Sequence, residues 1–197
     1  VFARGGVTAS ESIEVEQFVD QLQQMLEPQL ASSQATLLIN NQASDAEISG
    51  NLDAVLGVMQ NLACNAIQAC DESPALEITI ASNNDDKIDI SIRDNGCGIP
   101  EDIQDRILEP FFTTRNSGTG LGLAVVNATI NSHNGTLEIE SEEGTGSCFR
   151  ITLPLARSSD MLPSEITLHD IAINPVFINK QRGNASERLH MHKEVRV

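Results

Sequence analysis

The segment Asp94–Pro100, with the sequence DNGCGIP, decides the fold of this 197-residue chain. It follows a run in which Ile88, Ile90 and Ile92 alternate with polar residues, the period of a strand with one buried face. Asp94 continues that alternation, so we expect its carboxylate on the side of the core isoleucines. A carboxylate there needs hydrogen-bond donors. The local sequence alone leaves a second interpretation open, an Asp that opens a turn before Asn-Gly.

Three other short motifs accompany this segment. Asn61–Ala66 reads NLACNA, Glu109–Arg115 reads EPFFTTR, and Gly118–Leu123 reads GTGLGL. Asn61 and Asn65 lie four residues apart and therefore share one face of a predicted helix, opposite its apolar stripe. Taken alone, that face would be an ordinary solvated one. Glycines placed before a helix let backbone N–H groups face an anion, which the helix N-terminus also favours, although a lone glycine run is often only a loop.

Taken in chain order, the motifs NLACNA, DNGCGIP, EPFFTTR and GTGLGL resemble the N, G1, F and G2 boxes of the bacterial sensor histidine kinases. Those kinases belong to the Bergerat-fold ATP-binding group, with gyrase, Hsp90 and MutL, and the resemblance covers residues 10–155. It implies that Asn65 ligates Mg²⁺, that Asp94 accepts the adenine amino group, and that Arg115 reaches the γ-phosphate. Asn61 stands where Bergerat ATPases carry a water-activating glutamate, and an amide cannot take that proton. Gln68 stands where the family usually has a basic residue.

The resemblance also implies the remaining contacts to ATP. Gly96 and Gly98 would allow positive φ and a close approach of the purine, Thr145 would help to read adenine, and the two phenylalanines would mainly pack, anchoring a short lid. The full set of implied nucleotide contacts is Asn61, Asn65, Asp94, Gly96, Gly98, Ile99, Phe111, Phe112, Gly118, Thr119, Gly120, Leu121, Gly122, Leu123 and Thr145. The catalytic set is Asn61, Asn65 and Arg115, and the cofactors are ATP and Mg²⁺.

Hydrophobic periodicity predicts the fold class. An apolar stripe at helical spacing runs from Leu52 to Cys70, and a second helix is predicted from Leu121 to Ser132, where His133 would complement the helix dipole. Alternating runs predict strands, two of them joined by a hairpin turn at residues 83–86. Further predicted elements are a strand at 13–15, a helix after it that Pro28 bends or weakens, strands at 36–40, 47–49, 137–140 and 149–153, and a short helix at 101–106. The order predicts an α/β (α+β) two-layer sandwich, a mixed sheet with helices packed on one face.

Composition limits the partners. The net charge is −16, and residues 1–155 alone hold six basic and 23 acidic residues, which disfavours binding to nucleic acid or to an anionic membrane. An acidic protein must handle a triphosphate through a divalent cation and backbone N–H groups. The four cysteines show no metal-ligand spacing and indicate reduced thiols in the cytoplasm. No apolar run reaches the ~20 residues of a membrane span.

The chain is predicted to contain one domain with two flanks. Residues 1–9 are interpreted as the end of a dimerisation hairpin, 10–155 as the catalytic ATP-binding domain, and 156–197 as a flexible or vector-encoded tail. The expected partners are the kinase's own phosphoacceptor hairpin and a response regulator. The sequence of Pro110–Arg115, PFFTTR, looks most like that of nitrogen-regulation and flagellar-regulation kinases. Two alternatives remain: a Bergerat ATPase module and a serine kinase that acts as an anti-sigma binding protein.

Overall fold

The structure, a computed structural model, describes residues 11–83, 85–115 and 118–156. The predictions for residues 1–9, and for the tail beyond Ala156, lie outside the described residues. The elements follow one another as β1 (Glu11–Glu14), α1 (Val15–Ser33), β2 (Thr36–Asn41), β3 (Glu47–Gly50), α2 (Leu52–Ala69), β4 (Ala75–Ser82), β5 (Lys87–Asp94), α3 (Glu101–Gln104), α4 (Gly122–Ser132), β6 (Thr136–Glu142) and β7 (Gly146–Pro154).

A mixed five-stranded sheet forms one layer. Its strand order is β2-β4-β5-β7-β6, with β2 parallel to β4 and the other neighbours antiparallel. The strands β1 and β3 pair separately as a two-stranded antiparallel ribbon. Because β5 and β7 are neighbours in the middle of the sheet, the end of β5 lies beside the start of β7.

Three helices cover one face of this sheet. Strand β5 buries alternate residues, and the face that carries Ile88, Ile90 and Ile92 is the one the helices cover. The predicted apolar stripe of α2 is buried against it, together with apolar residues of α1 and α4. The largest fully buried side chains are Phe18, Leu22, Leu26, Ile48, Met59, Leu62, Ile78, Ile80, Ile88, Ile90, Ile92 and Ile130. The predicted two-layer sandwich is therefore confirmed.

Several predicted boundaries shift. The strand predicted at 13–15 is β1, Glu11–Glu14, and Val15 already begins α1. Helix α1 continues through Pro28 to Ser33. Proline removes one backbone donor and leaves the carbonyl four residues earlier unpaired; that residue, Gln24, is exposed, so water can pair with the carbonyl. The helix predicted at 101–106 is α3, Glu101–Gln104, and α4 begins at Gly122, one residue later than predicted.

His133 closes α4 and ties it to α2. Its Nδ1 lies 2.8 Å from the Thr129 carbonyl oxygen, and its Nε2 lies 3.1 Å from the Asn51 backbone nitrogen. The Asn51 N–H must donate, so Nε2 carries no proton and Nδ1–H donates to Thr129. An N–H donor thus meets a carbonyl in the last turn of α4, the end of the helix where a donor complements the dipole.

No helix in the described part of the chain has the length and apolarity needed to cross a membrane. All four cysteines carry free thiols.

Candidate functional site

A cavity of about 630 Å³ opens between α2, β7 and the segments on either side of α3. This volume falls within the range of about 300–1,000 Å³ typical of small-molecule sites. Among the described residues that line it, Asp94 is the one carboxylate and Arg115 is the one cation. The two charges stand on different parts of the wall, so the cavity is electrically asymmetric.

Asp94 sits at the end of β5, 7% exposed, on the side that the strand period predicts. Its Oδ1 accepts the backbone N–H of Gly96 at 2.8 Å and that of Ser147 at 3.2 Å. Burial raises the pKa of the Asp94 carboxyl above 3.8, against the opposing effect of these two N–H donors and of Arg93. Among the described residues no protein group hydrogen-bonds Oδ2. A fixed acceptor therefore remains for a ligand that brings its own donor.

Helix α2 forms one wall along its length. Asn61 donates Nδ2–H to the Gly57 carbonyl at 3.0 Å, and its Oδ1 faces Gly122, at 3.3 Å from the point where a Cβ on that glycine would stand. Ala69, at the other end, abuts Gly96 next to Asp94. A helix rises 1.5 Å per residue, so Asn61 and Ala69 lie about 12 Å apart along the axis. An extended ligand can span that wall.

Two glycines in the cavity wall adopt positive φ. Gly98 has φ +68°, and a Cβ there would collide with the Glu142 carbonyl; Gly120 has φ +66°, and a Cβ would collide with the Phe111 backbone. The prediction of positive φ at Gly96 is wrong. A side chain at Gly96 would instead meet Ala69 and the Asp94 carboxylate, so this glycine lets the chain turn tightly against α2. Gly96 and Gly98 are therefore both required by close contacts within the protein.

The two phenylalanines of the F motif have different environments. Phe112 lines the cavity, and the Arg106 guanidinium carbon lies 4.5 Å from its ring centroid, a cation–π contact. Phe111 is 75% exposed and has φ +69°. The expectation that both residues mainly pack is wrong for Phe111, because the turn that binds its N–H to the Gly120 carbonyl at 2.8 Å points it outward.

Arg115 reaches back from the segment after Phe112 to α2. Its Nη1 donates to Gln68 Oε1 at 2.7 Å and to Asn65 Oδ1 at 3.4 Å, and its Nη2 donates to the Asn65 carbonyl at 3.2 Å. The one cation among the described lining residues of the cavity therefore lies against the Asn65 and Gln68 side chains of α2. The sequence indicated Arg115 and Asn65 separately, but their contact is a long-range one that the sequence pattern could not provide.

The structure brings most of the predicted site residues together and leaves out four. Those that line the cavity are Asn61, Asn65, Asp94, Gly98, Ile99, Phe112, Arg115, Gly118, Thr119, Gly120, Gly122 and Leu123. Gly96, Phe111, Leu121 and Thr145 are not among the lining residues.

Ser147 lines the cavity beside Asp94, and Thr145 does not. Thr145 is exposed in the turn before β7, whereas Ser147 is buried and lines the cavity. Period-2 counting backwards from the buried residues Phe149, Ile151 and Leu153 reaches Ser147. The same count would reach Thr145 two residues earlier, so the alternation finds Ser147 only once the start of β7 at Gly146 is known.

A second missed feature fixes the segment that follows Asp94. The Ile99 N–H donates to Ser141 Oγ at 2.8 Å. The Gln104 Nε2 donates to the Ile99 carbonyl at 2.8 Å and to the Ser141 carbonyl at 3.1 Å. Ser141 Oγ lies 2.9 Å from Ser147 Oγ. This network joins α3, β6 and β7, and so holds Ile99 in the cavity wall.

The described residues contain no group of three or more His, Cys, Asp and Glu side chains able to hold a metal ion. Asn65 Oδ1, on the cavity wall, already accepts a cationic donor. A single amide oxygen fits Mg²⁺, which usually takes one or two protein ligands and completes its shell with phosphates and waters. The donor set therefore suits a metal that arrives with its ligand.

Comparison with known proteins gives one family. Residues 50–157 match the model described as histidine kinase-, DNA gyrase B- and HSP90-like ATPase. The sensor histidine kinase ZraS of Escherichia coli K12 is 43% identical over 109 residues, 55% of this chain and 23% of ZraS. Sporulation kinase E of Bacillus subtilis is 41% identical over 103 residues, 52% of this chain and 14% of that kinase. The matches span less than a quarter of either relative.

Solved structures agree. The catalytic domain of histidine kinase ThkA superposes with a TM-score of 0.67 and 26% identity, over 75% of this chain and 96% of that domain. Full-length ShkA in complex with AMPPNP, at 22% identity, has the same fold over 76% of this chain and 32% of its own, with a TM-score of 0.67. With the family model covering more than half of its length, this chain belongs to the histidine kinase-, DNA gyrase B- and HSP90-like ATPases, and its sandwich is their Bergerat fold.

Proposed function

We propose that this chain is the catalytic, ATP-binding domain of a two-component sensor histidine kinase. The observation that carries the proposal is Asp94, a buried carboxylate at the cavity wall with Oδ1 fixed by two backbone donors and Oδ2 left for a ligand. The exocyclic amino group of adenine is a donor of the required kind. Adenine at Asp94 would direct the rest of ATP along α2 towards Asn61 and the glycine loop.

The triphosphate would be handled by few charges. Gly118, Thr119, Gly120 and Gly122 line the cavity just before or at the start of α4, where backbone N–H groups and the helix dipole favour an anion. Asn65 would hold Mg²⁺ by its Oδ1, and the bound ion would neutralise charge on the phosphate oxygens. Arg115 adds one positive charge beside it. Phosphoryl transfer depends mainly on such positioning and neutralisation, and the base would come from the acceptor side.

The acceptor in this proposal is a histidine on a dimerisation hairpin, and an aspartate of a response regulator would receive the phosphoryl group next. The names of ZraS, sporulation kinase E and ThkA support a histidine kinase. ThkA has also been solved in complex with the response regulator protein TrrA. A cytoplasmic location follows from this role. The resemblance of Pro110–Arg115 to the same motif in nitrogen-regulation and flagellar-regulation kinases supports a kinase of one of these types.

The test is transfer to a histidine. The full chain is mixed with Mg²⁺, ATP labelled in the γ-phosphate and the isolated dimerisation hairpin of ZraS or AtoS, relatives at 43% and 40% identity. We expect a labelled hairpin whose phosphate is lost in acid and kept in alkali. The Asp94→Asn variant, which we expect to bind ATP poorly, is the matched control. An acid-stable phosphoserine would support the serine-kinase class instead.

An ATPase module is the second candidate, favoured by the family's description but opposed by Asn61. Hydrolysis needs a base that takes a proton from water, and a positioned base contributes about 10²–10⁴-fold. Asn61 donates to Gly57 and cannot act as that base. We expect very slow phosphate release by the wild type and a faster one by Asn61→Glu. Rapid release by the wild type, without phosphohistidine, would move the chain to the ATPase class.

A further inference from the structure

Three oxygen atoms of α2 hold the Arg115 guanidinium. The shortest bond, 2.7 Å, goes to Gln68 Oε1, while the bonds to the Asn65 carbonyl and to Asn65 Oδ1 are 3.2 Å and 3.4 Å. Distances near 2.9 Å are usual for N–H···O bonds, and they weaken as they lengthen. Gln68 is therefore the main anchor of Arg115 on α2.

The partners of Arg115 are all uncharged. Within the described ranges, Arg115 has no ion-pair partner, unlike Arg106 and Arg150, which lie within 4.0 Å of glutamates. Its position near the C-terminal turn of α2 adds the favourable end of a helix dipole for a cation. An amide anchor fixes the guanidinium without cancelling its charge. A glutamate at position 68 would fix it equally well but would neutralise it.

We propose that Gln68 is a positioning residue that holds Arg115 at the phosphate-binding part of the cavity, so that one guanidinium keeps its full charge for the terminal phosphate. This rests on the proposed binding of ATP. Gln68 itself is exposed and acts through Arg115. Helix α2 has a neutral side chain at position 68, and Gln68 instead holds the positive charge of Arg115 there.

Asn65 Oδ1 has two roles that compete. In the proposed complex this oxygen would hold Mg²⁺, and a divalent ion would repel a guanidinium bonded to the same atom. Arg115 then loses its 3.4 Å bond to Oδ1 and depends on Gln68 and the Asn65 carbonyl. The contribution of Gln68 to ATP binding is therefore larger with Mg²⁺ than without it.

The test compares ATP with ADP, because only ATP carries the terminal phosphate. Affinities of the full chain are measured by titration calorimetry with Mg²⁺ and with EDTA, for wild type, Gln68→Ala, Arg115→Ala and the double variant. Gln60→Ala is the matched control, since Gln60 is an exposed glutamine of α2 outside the cavity lining. Melting temperatures confirm that each variant is folded.

We expect Gln68→Ala to weaken ATP binding about two- to tenfold, the effect of one hydrogen bond, with little change for ADP. The loss should be larger with Mg²⁺ than with EDTA and should vanish in the Arg115→Ala background. Equal losses for ATP and ADP, or additive losses in the double variant, would overturn the role of Gln68. A wild type that binds neither nucleotide would instead overturn the proposed function itself.

Discussion

The two parts of the cavity are built in different ways. At Asp94 the wall consists of backbone: N–H donors from Gly96 and Ser147 fix one carboxylate oxygen, and Gly98 packs against the Glu142 carbonyl. At Asn65 the contacts are made mainly by side chains, since Arg115 is held by the amide oxygens of Gln68 and Asn65, with one further bond to the Asn65 carbonyl. Backbone groups in a sheet move little, whereas exposed side chains rearrange readily. The Asp94 part is preorganised, and the Asn65 part can exchange partners.

This difference suits the two halves of a nucleotide. An adenine base presents the same donors and acceptors throughout a reaction, so a rigid receptor costs nothing when chemistry occurs. A triphosphate changes its charge and its metal contacts as the terminal group leaves. Substitutions at Asp94 should therefore strongly weaken recognition of the base without affecting the fold, and substitutions around Asn65 should change metal and phosphate dependence in graded steps.

The largest effect is expected for Asp94→Asn. The amide keeps an oxygen for the Gly96 and Ser147 N–H groups, but it presents NH₂ to the ligand where the carboxylate presented an acceptor. Loss of a charge-assisted hydrogen bond costs about 1.5–3 kcal/mol, or about ten- to a hundredfold in ATP affinity. Titration with a fluorescent ATP analogue measures it, and unchanged affinity would refute the role of Asp94.

The same variant should not lose stability. Burial raises the pKa of Asp94, so the folded chain binds a proton more readily than the unfolded chain does. Such a group reduces the free energy of unfolding as pH rises through the window between its ordinary and its raised pKa, and the reduction is complete above it. At neutral pH we expect the melting temperature of Asp94→Asn to equal or exceed that of the wild type. A marked fall would mean that the carboxylate is structural.

Acid should weaken nucleotide binding through the same group. The acceptor role requires the ionised carboxylate, so affinity falls as pH falls through the Asp94 pKa, which lies above the usual 3.8. The phosphates of ATP also titrate, and their effect is removed by dividing the wild-type affinity by that of Asp94→Asn, which lacks the carboxyl. The ratio of wild-type to variant affinity, followed from neutral pH down to the lowest pH at which both proteins stay folded, should be level at neutral pH and decline towards acid. A ratio that is independent of pH in acid contradicts the assignment.

A smaller, graded effect is expected for Asn65→Ala. It removes the one side-chain oxygen offered to Mg²⁺, while ATP phosphates and waters supply the other ligands. Mg²⁺ should strengthen ATP binding by wild type, and the variant should lose most of that gain, because the ion takes only one or two protein ligands. Affinities with Mg²⁺ and with EDTA give the gain for each protein. If both gain equally, Asn65 is not the ligand.

The fold was more predictable than the site because periodicity reports burial. Alternation placed Ile88, Ile90, Ile92 and Asp94 on one face correctly, and the helical stripe of α2 was confirmed. Contacts between distant segments leave no such trace. The bond between Arg115 and Gln68 joins residues 47 positions apart, and neither neighbourhood encodes it.

Local pattern also failed where two candidates were close in sequence. Thr145 and Ser147 are both hydroxyl residues beside glycines and share one period-2 phase; they differ because β7 begins at Gly146, which leaves Thr145 in the exposed turn before the strand. Likewise Gly96 and Gly98 are equivalent as letters, but the Glu142 backbone lies against Gly98 and the positive φ occurs there. The sequence identifies the residue types that favour a turn, whereas contacts with the neighbouring strand determine which residue adopts positive φ.

The smallest effect is expected for Gly57→Ala, which probes the boundary between the two parts. A Cβ at Gly57 meets nothing within 4 Å, and the Asn61 side chain bonds to its carbonyl, which alanine retains. Gly57 is in the interior of α2, where alanine is more stable than glycine by roughly 0.5–1 kcal/mol. We expect a higher melting temperature and unchanged ATP affinity. A fall in ATP affinity without unfolding would show that the nucleotide extends along α2 beyond Asn61, and would enlarge the adjustable part of the site.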